Sequence, residues 1–206
     1  MKWILAFILL LPGIAFGRGI AFSEEMHGYA FFKGEFRDVD VYLDVTVQDI
    51  DAWRSNPQHA AKVRGWLVVN SQWHSITGTL NILAPAPGDT GRLLKYSLQG
   101  TSLKFLGAKH VYDNGGFDLV DDMTTLRGAL RSVGESMPTI EDMLYRDAWS
   151  SEIRFEWWAS GVLWNFTTSF RTIDTPWYQE LEVRALFVKT VFGGIASEFF
   201  PWLPQP

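Results

Sequence analysis

The stretch Val39-Asp40-Val41-Tyr42-Leu43-Asp44-Val45-Thr46-Val47-Gln48 places an apolar residue at every odd position and a polar or amphipathic one at every even position. A period of two sends alternate side chains to opposite faces of a pleated ribbon, which a helix of period 3.6 does not do. With β-branched valines on one face and aspartates on the other, the segment reads as a half-buried strand. Less regular runs of the same kind occur at 26–36, 63–70, 74–84, 92–100, 104–113, 123–132, 151–158 and 161–170. Turn-forming residues separate them: Lys33-Gly34, Asn70-Ser71, Pro85-Ala86-Pro87-Gly88-Asp89 and Asp113-Asn114-Gly115-Gly116. Links this short favour antiparallel meanders over strand–helix–strand units, whose crossovers are longer.

Three stretches depart from this pattern. Asp51 to Arg64, which contains Asn56-Pro57, predicts a helical turn followed by a long connection. Thr139-Ile140-Glu141-Asp142 reads as a helix start, with Ile140, Met143 and Leu144 forming a short apolar stripe. In the third, Thr175 suits an N-cap and Pro176 the first helical position. Leu181, Val188, Phe192, Ile195 and Phe199 follow at helical spacing, until Pro201 ends the run. Gly193-Gly194 within it would loosen the helix or admit a close neighbour. The expected fold is mainly β: an antiparallel β-barrel or sandwich, lipocalin-like in general shape, with short helical connections and a C-terminal α-helix at about 176–200.

The N-terminus has the pattern of an export signal. Lys2 precedes the uncharged run from Trp3 to Phe16, which is shorter than the roughly 20 apolar residues of a membrane span. Ala15-Phe16-Gly17 presents small residues for cleavage after Gly17, and Ala21-Phe22-Ser23 is the alternative; a retained anchor is the competing reading. Cleavage after Gly17 gives residues 18–206 as a single domain and takes the formal charge from −5 to −6. That balance disfavours nucleic acid and anionic lipid surfaces as partners. The chain has no cysteine, so a lipid-modified N-terminus is excluded and the fold must hold without disulfides. An exported chain of this kind points to a bacterial envelope, as a periplasmic or secreted protein with no stable membrane span after cleavage.

No Gly-x-Ser-x-Gly elbow, His-Glu-x-x-His, phosphate loop or dinucleotide fingerprint is present, so no catalytic residue, cofactor or metal site is assigned. His27, His59, His74 and His110 are not paired at metal-ligand spacing. Asp49 and Asp51 near His59 would make an acid/base group, or simply cap a helical turn while His59 fixes the loop. Asp118, Asp121 and Asp122 lack the order of a calcium loop and read as a solvated turn. All but one of the ten tryptophans lie beyond the signal. Among them Trp157, Trp158 and Trp164 fall on adjacent expected strands, where large rings either line an apolar cavity or fill the core.

The order of several short motifs resembles an accessory domain associated with cholesterol-oxidase-like glucose-methanol-choline flavoproteins. Phe22-Ser23-Glu24-Glu25-Met26-His27-Gly28 is similar to its opening Phe-Thr-Glu-x-Met-x-Gly. Val47-Gln48-Asp49-Ile50-Asp51, Pro57-Gln58-His59-Ala60 and Val63-Arg64-Gly65 follow in the same order. So do Tyr96-Ser97-Leu98, Gly107-Ala108-Lys109, Asp122-Met123-Thr124-Thr125-Leu126 and Gly161-Val162-Leu163. The likeness spans roughly residues 22 to 203. Met123 and Arg127 depart from the Thr and Tyr of the pattern. The resemblance implies a non-flavin domain found beside enzymes of apolar alcohols; the glycine fingerprint of the flavin-binding part is absent, so oxidase activity does not follow.

These readings converge on an exported, non-catalytic protein that binds an apolar small molecule of lipid or sterol-like character. Trp157, Trp158, Trp164, Lys109 and His59 are the candidate ligand-binding residues. Lys109 is expected to pair with Asp118 or Asp122 at a barrel rim. The alternatives are a structural or partner-binding module serving another envelope protein, and an enzyme built on His59 with Asp49 or Asp51.

Overall fold

The computed structural model describes residues 18–89, 91–112, 119–156, 158–159 and 161–199. The segment expected to be an export signal, Trp157 and Asp118 lie outside the described residues. The chain folds as an antiparallel eight-stranded β-barrel with a C-terminal helix, as the alternating pattern predicts. Strand β1 (Gly19–Phe32) turns at Lys33-Gly34 into β2 (Glu35–Val47). Both turn residues have positive φ, 52° and 87°, the combination that matches strand twist in a two-residue hairpin. Asn70-Ser71, at 47° and 65°, does the same between β3 (Ala60–Val69) and β4 (Gln72–Pro85). Strands β5 (Arg92–Gly100), β6 (Leu103–Val111), β7 (Thr125–Ser132) and β8 (Ser151–Arg154) continue the meander. β8 pairs with β1, which already pairs with β2, and the barrel closes.

Closure is incomplete along one edge. β8 covers β1 at His27–Ala30, and the short β9 (Arg171–Ile173) covers Gly19–Ala21 on that edge. Between them, among the described residues, Phe22 to Met26 has no strand on that edge, although β2 pairs with it on the other. Helix α4 (Val162–Ser169) stands there instead, its Ser169 Oγ accepting from Ser23 N at 2.9 Å. This segment was expected to be a strand from its aromatic and β-branched composition. Gly161, at φ 87°, turns the chain into a helix that packs Phe166 and Phe170 across the breach, so tertiary packing overrides propensity.

The other helices are short. Ile50–Ser55 forms α1, capped by Asp49, whose Oδ1 accepts from Asp51 N and Ala52 N at 2.9 and 3.0 Å. The long connection expected as far as Arg64 is cut back, since β3 already begins at Ala60. Leu119–Thr124 forms α2, and Ile140–Arg146 forms α3. The start of α3 is the predicted one: Thr139 and Asp142 make a capping box, and Ile140 and Met143 pack on the barrel's outside against Leu93, Ala108 and Ala129.

The C-terminal helix α5 (Glu180–Phe199) follows a 3₁₀ turn at Trp177–Gln179. Thr175 does not cap it; its hydroxyl donates to Ile173 O at 2.8 Å. The buried face also differs from the expected stripe. Val183, Phe187, Val191 and Ile195 pack onto the core, whereas Leu181, Val188 and Phe192 are 80, 47 and 63 % exposed. Two apolar stripes run along this helix, and among its described side chains only Ile195 belongs to both the expected one and the buried one. Gly194 meets Leu83 closely: a Cβ there would lie 2.5 Å from Leu83 Cδ1. Leu83 reaches it from a bulge in β4, where its φ is 61°.

Candidate functional site: a chamber inside the barrel

Period-two alternation determines what β1 points inward. Ile20, Phe22, Glu24 and Met26 share one parity, so a carboxylate enters the core between a phenylalanine and a methionine. Tyr96 on β5 and Lys109 on β6 enter from strands that register Tyr96 opposite Gly107 and Leu94 opposite Lys109. The three side chains meet. Lys109 Nζ donates to Glu24 Oε1, and Tyr96 Oη donates to Glu24 Oε2 at 2.8 Å. Glu24, Lys109 and Tyr96 are 7, 2 and 0 % exposed, so the ion pair is interior. Among the described residues the lysine's carboxylate partner is thus Glu24 on β1, in the core, and not Asp122 at the rim; Asp118, the other aspartate expected, lies outside them. Burial, followed by the charge of Glu24, pushes the Tyr96 phenol well above its ordinary pKa, so it remains a donor.

Above this polar floor lies an apolar chamber of about 180 Å³. Leu80, Ile82 and Leu94 form its strand wall. Phe166 of α4 and Phe170 just past its end close the breach, and Phe187 and Val191 of α5 form the roof, with the largely exposed Phe192 at its edge. The rings are mutually locked: Phe22 stacks on Phe170 at 5.1 Å between centroids, Phe166 meets Phe155 edge-on at 5.3 Å, and Phe170 lies 5.9 Å from Phe187. The lysine also lies 5.6 and 5.9 Å from the Tyr96 and Phe155 ring centres, within cation–π reach.

Of the residues singled out from sequence, Lys109 is in the chamber. His59 is outside its lining, at the barrel end, with its ring 4.8 Å from Trp53. Burial lowers the His59 pKa below 6.5, and its Nδ1 is buried with no hydrogen-bond partner. Among the described residues no carboxylate bonds that ring: Asp49 caps α1, and Asp51 holds Arg18 at 2.6 Å. Trp158 and Trp164 are 58 and 71 % exposed and lie on the surface, away from the chamber lining. Glu24, Tyr96 and the phenylalanines were not anticipated. Extending the alternation back from Met26 to Ile20 would have exposed Glu24 as a charge on an apolar face.

A second concavity, about 540 Å³, lies along β2 to β4 beside α4 and shares Glu24, Phe155 and Phe166 with the chamber lining. Tyr42, Asp44, Arg64, Trp66, Thr77 and Asn165 are among its lining residues. Trp73 stacks on Tyr42 at 5.5 Å nearby. Among the described residues no group of three or more His, Asp or Glu side chains could hold a metal ion. No helix among them is long and apolar enough to cross a membrane.

Comparison of the chain with protein-family models, with curated proteins and with solved structures finds no match in any of the three.

Proposed function

We propose that the barrel interior binds an apolar small molecule of lipid or sterol-like class and that the protein acts outside the cytoplasm as a non-catalytic carrier or sensor of it. The observation that carries the reading is the chamber itself, an apolar space over one buried hydrogen-bonding group. Ligand sites usually combine these two features, apolar walls for affinity and a few polar atoms for orientation. A fold that needed only a core would gain nothing from Glu24 and Lys109 there, because hydrophobic residues of similar volume are often at least as stable.

The size sets a condition. A cavity of about 150 Å³ lined by Leu, Ile and Phe holds a benzene-sized molecule, whereas drug-sized ligands occupy roughly 300 Å³ or more. At about 180 Å³ the chamber takes a short chain or a single ring. A sterol requires Phe166 and Phe170 to withdraw. Helix α4, which carries Phe166 and leads into Phe170, has no fully buried residue and stands in the breach of the wall, so it is the natural point of entry.

Native mass spectrometry of protein purified from its own source, with organic extraction of the same sample, tests the reading. A co-purifying apolar molecule near one per chain is the expected result. Ligand-free protein that also fails to bind added alcohols or sterols would remove the proposal. The exposed faces of α4 and α5, with Trp164, Trp177 at 84 % exposure, Leu181 and Phe192, favour a second reading as a module for another exported protein, which the flavoprotein-domain resemblance also suggests. A stoichiometric protein partner in a pull-down, without bound lipid, would favour it.

A further inference from the structure

The charge state of the chamber floor restricts what its occupant can be. Glu24 and Lys109 form a buried pair of zero net charge, with Tyr96 on the second carboxylate oxygen. Each Glu24 oxygen therefore already accepts a bond. Lys109 has three N–H donors and gives one of them to Glu24. Among the described residues Glu24 is the acceptor bonded to it, and the chamber lining is mostly aliphatic and phenyl carbon, with the Thr124 hydroxyl and the Tyr96 phenol as its other polar groups. Each Glu24 oxygen and the Tyr96 oxygen keep a lone pair, but the charged capacity left unused is that of the Lys109 ammonium, and a ligand that meets it presents an acceptor.

The acceptor must also be uncharged. A carboxylate or phosphate entering beside Glu24 would add a second negative charge against one ammonium, and an uncompensated net charge would be buried among phenylalanines. An alcohol, ketone or ester oxygen accepts from Lys109 without changing the net charge. We infer that the chamber selects neutral apolar molecules bearing a single oxygen acceptor, alcohols, ketones or esters, and rejects the corresponding acids, with Glu24 as the residue that sets this preference. The inference rests on the proposed ligand-binding role and specifies its chemistry.

Calorimetric titration at pH 7.5 with 1-octanol, 2-octanone and octanoate tests it, since the three share a chain length that suits the chamber. Wild type is expected to bind the alcohol and the ketone at least tenfold more tightly than octanoate. Any apolar cavity disfavours a carboxylate, so the decisive comparison is Glu24→Gln. That variant leaves Lys109 as the net charge and is expected to reverse the order, with octanoate becoming the tightest of the three. Octanoate binding wild type as well as 1-octanol, or an unchanged order in the variant, overturns the inference while leaving a ligand-binding chamber intact. Binding of none of the three by wild type removes both the inference and the ligand-binding role. If Glu24→Gln does not fold, the Glu24→Leu/Lys109→Met double variant serves: it is expected to lose the preference for 1-octanol over octane, and a retained preference overturns the inference.

Discussion

Replacing Lys109 by Met while Glu24 remains would convert a neutral buried pair into a buried carboxylate. Lys109 and Glu24 are 2 and 7 % exposed, so solvent offers the orphaned charge little relief. The Tyr96 hydrogen bond at 2.8 Å is retained and offsets part of the loss. Breaking a buried pair from one side costs about 3–5 kcal/mol. For a chain of this size, each kcal/mol shifts Tm by about 2–4 °C, so Lys109→Met should melt roughly 6–20 °C below wild type. Calorimetric or circular-dichroism melts of wild type and Lys109→Met would show this gap. Adding Glu24→Leu to the variant should recover most of the lost stability, because neither charge then remains. A Lys109→Met variant as stable as wild type, or no recovery in the double variant, would refute the buried-pair argument.

Further predictions concern the helices and the surface. Phe187→Ala should cost about 3–5 kcal/mol in chemical denaturation, whereas Val188→Ala should stay within about 0.5 kcal/mol, because the first faces the core and the second is 47 % exposed. Asp49→Ala removes both cap bonds of α1 and should cost about 1 kcal/mol, measurable as a shift of the urea midpoint. Burial acts to lower the pKa of His27, but the hydrogen bond to Asp40 at 2.8 Å, together with the charges of Asp40 and Glu25, outweighs it and the pKa is raised. Its stabilising contribution is therefore present below about pH 6.5 and is lost as pH rises through the raised value. A His27→Gln variant should fall furthest behind wild type near pH 5.5 and approach it by pH 8.5.

The strands were legible because the barrel buries one face of each. Val39 to Val47 alternates without exception, and the hairpin turns carry residues that accept positive φ. Of the helices near the chamber, the C-terminal one was legible as a helix, but its buried face and the whole of α4 were not. Val162–Ser169 has strand-like composition, and only the missing strand pairing beside Phe22–Met26 makes room for a helix there. Helix α5 has apolar residues on two faces, and sequence alone offers no way to choose which one meets the barrel. Lys109 was found through motif resemblance, but its partner was sought among nearby aspartates, since sequence distance conceals a contact between residues 24 and 109. The tryptophans misled for a simpler reason. Phenylalanine, with no polar atom to satisfy, lines the interior, while Trp158 and Trp164 stay at the surface.

The claim on which the account depends most is that the space between the α4 and α5 phenylalanines and the Glu24–Lys109 pair is a ligand site. A crystal structure of the protein with 1-octanol or 2-octanone tests it most directly. The account predicts the chain among Phe22, Phe166 and Phe187, with its oxygen within hydrogen-bond distance of Lys109 Nζ. Ligand bound only in the second concavity by Tyr42 and Trp66, with side chains filling the interior, would contradict it.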